Sequence, residues 1–252
     1  MKWVRWLFPL SVPAVIAVNA LTGHFWWSLA VFPLCHAFPL YAILRRNCQW
    51  LGPVVTRIRP ADSVWLTIDD GPSQEITRDG VAETEGVLDV LDRYDAKATF
   101  FMIGEAMRAD PKGVQSILDR GHSLGNHTST HAHAWFWSFT KKRLAREIDE
   151  WSDSQETSLF RSPVGMKPLA LYPVLELRNL TYIGWSAAAY DGVTSDLDTI
   201  MARLKKKIEP GAILVIHEGL GHAPALLERL LPFLEEQGLK CALPNPRDFL
   251  TQ

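Results

Sequence analysis

Apolar positions along the chain fall into two regimes. Over residues 6–44 they are nearly continuous, with no Asp, Glu, Lys or Arg. Beyond residue 62, short apolar runs of strand type alternate with segments of helical periodicity. The runs at 64–68, 98–103, 121–126, 159–164, 212–216 and 240–243 predict strands, several ending at Gly or Pro. The stretches 83–94, 111–120, 141–151, 196–208 and 223–237 carry the spacing of amphipathic helices, and Gly238 is placed to cap the last. Strand–helix alternation of this kind predicts an α/β fold with a parallel sheet. Polar residues that follow different strands suit an α/β barrel whose site lies at the strand C-terminal ends.

The uncharged N-terminus divides into two apolar segments, 6–21 and 25–44, around a Thr22-Gly23-His24 turn. At ~1.5 Å per residue the second covers ~30 Å of hydrocarbon, whereas Pro9 and Pro13 shorten or kink the first. The expectation is a transmembrane hairpin, with Trp26 and Trp27 at interfacial depth. Residues 1–46 then form a membrane anchor, 47–62 a linker and 63–252 one catalytic domain with a sizeable core. Lys2 and Arg5 precede the hairpin and Arg45, Arg46, Arg57 and Arg59 follow it, which places both ends in the cytoplasm. A cleaved signal ending at Val18-Asn19-Ala20 is the rival reading, and it leaves the catalytic domain on the same side.

Composition changes this picture little. A net charge of -2 and a mean hydropathy of -0.01 are ordinary for a soluble enzyme. Three cysteines, Cys35, Cys48 and Cys241, show no pairing pattern and read as free thiols. No basic stripe with interleaved aromatics is present, so nucleic-acid binding has no support.

The candidate chemistry starts at Thr67-Ile68-Asp69-Asp70-Gly71-Pro72, a carboxylate pair at the end of an apolar strand. Adjacent carboxylates repel, and a metal ion is the usual partner: one acid as ligand, the other as general base. His127 and His131 lie four residues apart; on a helical turn both rings share a face, about 6 Å apart at Cβ. With Asp70 they make a His-His-Asp set that leaves positions open, the composition of a catalytic metal site. Arg161, before Ser162-Pro163-Val164-Gly165, is a candidate partner for a carboxylate, and His217, at the end of Ala212-Ile213-Leu214-Val215-Ile216, a candidate acid.

TIDDGP, HTSTH, RSPVG and ILVIHEG, together with Lys97-Ala98-Thr99-Phe100-Phe101-Met102-Ile103-Gly104, stand in the order and spacing of the polysaccharide deacetylase family, the NodB-homology domain. The resemblance covers about residues 64–243 and implies a distorted barrel of about seven strands. It also implies one divalent ion, zinc first, with cobalt, manganese or nickel as alternatives, serving removal of an acyl group from an N-acylated sugar. Carried onto this chain, Asp70, His127 and His131 hold the ion, Asp69 is the base and Arg161 orients it. His217 protonates the leaving amine and Asp191 orients that histidine. Where the family has Asp-x-x-Asp-Trp, this chain has Ala188-Ala189-Tyr190-Asp191-Gly192, so transfer of polymer specificity does not follow.

A cytoplasmic deacylase on a membrane tether is badly placed for cell-wall polymer and well placed for a lipid-linked saccharide. The expected partners are therefore an N-acylated amino sugar on a lipid carrier, and membrane lipid. The aromatic run Ala134-Trp135-Phe136-Trp137-Ser138-Phe139 follows the histidines. Trp135 and Trp137, with Pro163, are candidate substrate contacts, unless the run packs in the core. The alternatives are a deacetylase of a soluble or cell-wall sugar and a catalytically inactive, membrane-anchored binding protein.

Overall fold

A computed structural model describes residues 4–24, 26–59, 62–134 and 136–251. Its strands are β1 (Val55–Ile58), β2 (Ser63–Asp69), β3 (Ala98–Met102), β4 (Ser123–Asn126), β5 (Leu159–Phe160), β6 (Thr181–Tyr182), β7 (Ala187–Ala188), β8 (Ile213–His217), β9 (Lys240–Cys241) and β10 (Phe249–Thr251). The helices are α1 (Val4–Thr22), α2 (Trp26–Leu44), α3 (Glu83–Arg93), α4 (Gly104–Ala109), α5 (Pro111–Asp119), α6 (Lys141–Asp149), α7 (Leu171–Glu176), α8 (Leu197–Lys205) and α9 (Ala223–Glu236). The main sheet runs β6-β5-β4-β3-β2-β8-β7, all pairs parallel, with β9 added beside β2. It is a curled sheet of seven strands in sequence, open between β6 and β7. There the connecting Gly184 and Ser186 amides donate to Val55 and Ile213 carbonyls (2.8 and 3.0 Å) instead of closing a ladder.

Period-2 alternation explains which side chains reach the barrel interior. On β2, Val64, Leu66 and Ile68 join the outer core beneath the helices, where Leu88, Leu91, Leu226, Leu227 and Leu230 meet them. Trp65, Thr67 and Asp69 take the other face. Phe101 on β3 and Ile213 on β8 share that interior with Trp65, and the register aligns Asp69 with both Phe101 and His217. Apolar residues therefore fill the bottom of the curled sheet, and polar ones surface only at strand ends. Gly238 ends α9 with φ +68, as expected, and the Leu239 amide donates to the Leu234 carbonyl at 2.9 Å.

Two expectations about the N-terminal third need correction. The predicted segments do become helices, and α1 packs on α2. However, no helix among the described residues is long and apolar enough to cross a membrane. Each has 19 residues, about 28 Å at 1.5 Å per residue, and Pro33 and Pro39 sit inside α2. Nor is 47–62 a free linker. Leu51, Val54, Val55 and Ile58 are buried, and β1 pairs antiparallel with β10. Even the end of α2 belongs to the domain: Ala42 and Ile43 are buried in a second core with Phe136, Phe160 and Tyr172. Lys167, itself fully buried, donates its Nζ to the Arg45 (2.6 Å) and Arg46 carbonyls.

Candidate metal centre and active site

β2 ends at Asp69, and a strand continuing past it would point Asp70 to the opposite face. Asp70 instead adopts φ 76, a left-handed conformation rare outside glycine. The next residue is glycine for a different reason: a Cβ on Gly71 would meet Glu218 Oε2 at 2.0 Å and displace that carboxylate.

His127 and His131 do not lie on a helical turn. β4 ends at Asn126, whose side chain accepts from the Thr128 amide (2.9 Å); Thr128 Oγ1 in turn accepts from the His131 amide (3.1 Å). Thr128 and His131 both have positive φ (69 and 49). Glu147 on α6 accepts from the Thr130 amide and hydroxyl at 3.0 and 2.9 Å, fixing the loop from outside. Side-chain hydrogen bonds thus supply the curvature that a helix was expected to provide, and the ring centroids stand 4.9 Å apart.

The three expected ligands converge. His127 Nε2 and His131 Nε2 lie 3.4 and 3.3 Å from Asp70 Oδ1, and one ligand atom from each residue falls within 4.8 Å of the others. Bonds of 2.0–2.1 Å to a tetrahedral ion set donors about 3.3 Å apart, so the spacing fits zinc or a similar divalent ion. His127 Nδ1 donates to the Arg161 carbonyl at 2.8 Å, which leaves Nε2 as the lone-pair nitrogen facing Asp70. Asp70 Oδ1 is buried without a hydrogen-bond partner among the described residues. Burial opposes ionisation of Asp70, but the imidazoles of His127, 3.4 Å away, His131 and His217 outweigh it and hold the carboxyl well below the usual carboxylate range. For His131, burial above all lowers the pKa to about 4, so the ring is neutral, as a ligand must be.

Asp69 has a different environment. Arg161, with no exposed surface, donates Nη1–H to Asp69 Oδ1 at 2.6 Å and to Thr67 Oγ1 at 2.7 Å. Its Nε and Nη2 donate to the Ile183 and Gly184 carbonyls (3.2 and 3.0 Å), and its guanidinium lies 4.2 Å over the Phe101 ring. A guanidinium fixed at every edge leaves Asp69 one free oxygen, Oδ2, 4.0 Å from His127 Nε2. At the end of neighbouring β8, His217 Nδ1 donates to Asp191 Oδ1 at 2.6 Å, while Asp191 Oδ2 accepts the His217 amide at 2.8 Å. Burial alone lowers the pKa of His217, but the Asp191 hydrogen bond and the charges of Asp191, Asp69 and Asp70 raise it to about 9. His217 is thus cationic at neutral pH, and its Nε2–H is available to a substrate.

Sequence reasoning assigned nothing to Glu218, although it lies within the quoted ILVIHEG run. It is almost fully buried behind Gly71; Thr84 donates to Oε2 at 2.9 Å, and Oε1 has no partner among the described residues. Burial pushes its pKa up to about 8, with Glu83 adding to the rise. The signal was a second acid beside a site histidine, and nothing local distinguishes it from a solvated one. Among the expected substrate contacts, Pro163 is buried, and the exposed side chain of its segment is Val164, at φ 49. Trp135 and the side chain of Trp137 lie outside the described residues. Phe136 and Phe139, from the same aromatic run, are buried in the second core rather than presented to lipid or substrate.

The family model for polysaccharide deacetylase matches residues 56–182. The chain belongs to the polysaccharide deacetylase family. A peptidoglycan-N-acetylglucosamine deacetylase of Bacillus cereus is 28% identical over 211 residues, 79% of this chain and 94% of the relative. A chitooligosaccharide deacetylase of a Bradyrhizobium species is 30% identical over 72% of this chain and 78% of its own. A solved peptidoglycan N-acetylglucosamine deacetylase superposes with a TM-score of 0.68 at 25% identity, covering 79% of this chain and 93% of that one. A pseudoenzyme of the same family from Bacillus anthracis superposes at 0.64 with 23% identity, over 74% and 66% of the two chains. Membership makes this chain a carbohydrate N-deacetylase, a hydrolase of carbon–nitrogen bonds other than peptide bonds.

Proposed function

We propose that this protein removes an N-acyl group, acetyl or formyl, from an amino sugar carried on a lipid at the cytoplasmic face of the membrane. The observation that carries the hydrolytic part is the division of labour between Asp69 and Asp70. One acid is held by a buried arginine, the other faces two histidines at ligand spacing, and a charged histidine–aspartate pair stands on the next strand. Asp70, His127 and His131 would hold the divalent ion, which supplies Lewis acidity to a water and to the amide oxygen. Asp69 Oδ2 accepts the proton of the attacking water, and Arg161 keeps the Asp69 carboxylate aimed. His217, held by Asp191, delivers the proton that lets the amine leave. The residues argue against the inactive alternative, since the expected ligands and both proton-transfer residues are present.

The lipid reading rests on the hairpin. α1 and α2 bring an uncharged, exposed apolar surface, Leu21 at 86% and Trp26 at 77% exposure among them, directly onto the domain. A surface of that kind is suited to lie in the headgroup–acyl boundary. Arg5 at one end and Arg45 and Arg46 at the other favour the anionic cytoplasmic leaflet.

The test is twofold. Purified full-length chain with zinc should release acetate or formate from N-acetylated or N-formylated chitotetraose or the corresponding glucosaminyl lipids; neither acid from any of them would overturn the hydrolase reading. Cells lacking the protein should accumulate an N-acylated lipid-linked sugar by mass spectrometry, and an unchanged lipid pool would overturn the lipid reading alone.

A further inference from the structure

A cavity of about 640 Å³ opens where the hairpin meets the barrel. Arg45 and Arg46, just past α2, form one wall, and Arg203, Lys206 and Lys207, at the end of α8, form the other. No carboxylate is among the described residues lining it. Five cations from two separate elements around one open cavity, four of them exposed, concentrate positive potential there and favour an anion as its occupant. A second observation points the same way: Arg203 NH1 is buried and has no hydrogen-bond partner among the described residues. Arg46, by contrast, is already steered, donating to Tyr190 Oη at 2.7 Å with its guanidinium 4.9 Å over that ring.

The cavity adjoins the reaction centre. Trp185 lines it, and the same ring lies 5.6 Å from the Arg161 guanidinium that holds Asp69. Tyr190, also in the lining, directly precedes Asp191, the partner of His217. Ala188 completes this wall, the position where the family pattern carries a carboxylate. An acid there would repel an anion; alanine leaves the wall neutral.

We propose that this cavity is an anion subsite that binds the phosphate or diphosphate ester of the acylated sugar while its amide reaches the metal centre. Arginine and lysine suit this role through charge-assisted bonds to phosphate oxygens. In a 2-acylamino sugar 1-phosphate the two groups sit on adjacent carbons, and the cavity meets the reaction centre along Trp185, which packs by Arg161, and Tyr190, which precedes Asp191. The subsite deepens the lipid-linked reading and rests on it for the identity of the anion's carrier.

The experiment has a binding arm and a turnover arm, both on the zinc-loaded full-length chain. Inorganic pyrophosphate, titrated calorimetrically, should bind wild type, and Arg203→Gln/Lys206→Gln should weaken it by about tenfold or more. Ala188→Asp, which alters the wall without removing a cation, should weaken it in the same direction. Repeating the titrations in an Asp70→Asn background, which weakens the metal site, separates pyrophosphate bound at the ion from pyrophosphate bound in the cavity. Equal affinity in all three would overturn the subsite. In turnover, kcat/KM should favour N-acetylglucosamine 1-phosphate and its farnesyl diphosphate-linked form over neutral chitotetraose. Arg203→Gln/Lys206→Gln should erase that preference while leaving chitotetraose turnover within about twofold. A retained preference in the variant also overturns the proposal. Preference for the farnesyl form assigns the anion to a lipid carrier, and equal use of both assigns it to a soluble sugar phosphate. Pyrophosphate binding that the variants weaken, with no acetate from any substrate, would keep the anion site and reject the hydrolase.

Discussion

At the scale of single residues, two neighbouring aspartates with the same side chain stand in different surroundings, one against a buried arginine and the other against two histidines. Asp70→Asn should lower metal affinity by about a hundredfold or more, beyond the effect of outer-shell changes. Asp69→Asn should keep one metal per chain and lose about 10²–10⁴ in kcat. Metal analysis alongside kcat separates the two, and similar metal loss in both variants would reject the division of roles. His217 gives a pH prediction. Its pKa is raised to about 9, so the acid is loaded with a proton below that pH and emptied above it. The alkaline limb of kcat/KM should therefore fall near pH 9. Asp191→Asn removes the partner that raises the value and should move that limb down by about one to two units, toward the ordinary histidine range. A limb that stays put would show that another group sets it.

Among elements, the informative piece is the junction of α2 with the barrel. Lys167 holds the carbonyls of Arg45 and Arg46, and burial lowers its pKa to about 8. Lys167→Met fills the space but leaves both carbonyls without their donor, at roughly 1–3 kcal/mol. Chemical denaturation should show that loss, and limited proteolysis should open first near residues 45–50. The histidine loop makes a related point. Its two positive-φ residues are held by Asn126, Thr128 and Glu147 and not by helical hydrogen bonds. HxxxH spacing reads as a helical turn because nothing within five residues reports a contact with α6 twenty residues on.

For the whole molecule, the end of the hairpin is part of the fold. A chain starting at residue 37 keeps Ala42 and Ile43 in the second core, whereas one starting at residue 47 removes both. The shorter chain should be less stable by roughly 2–4 kcal/mol from lost apolar burial. Both should fail to sediment with vesicles containing anionic lipid. Thermal melting and cosedimentation read these outcomes, and equal melting of the two chains would show that the junction contributes nothing to the core.

Strand–helix alternation, the five ordered motifs and the uncharged N-terminus were all legible in the sequence, because each is a local pattern repeated over a few residues. Period-2 alternation on β2 already dictated that Trp65, Thr67 and Asp69 share one face. Only the tertiary structure decided that the sheet stays open between β6 and β7, that 51–58 belongs to the domain, and that Phe136 and Phe139 are core. It alone gathers Arg45 and Arg46 with Arg203, Lys206 and Lys207 around one cavity. Those outcomes depend on contacts between residues far apart in the chain, and the order of residues carries no local trace of a neighbour that folding brings from more than a hundred positions away.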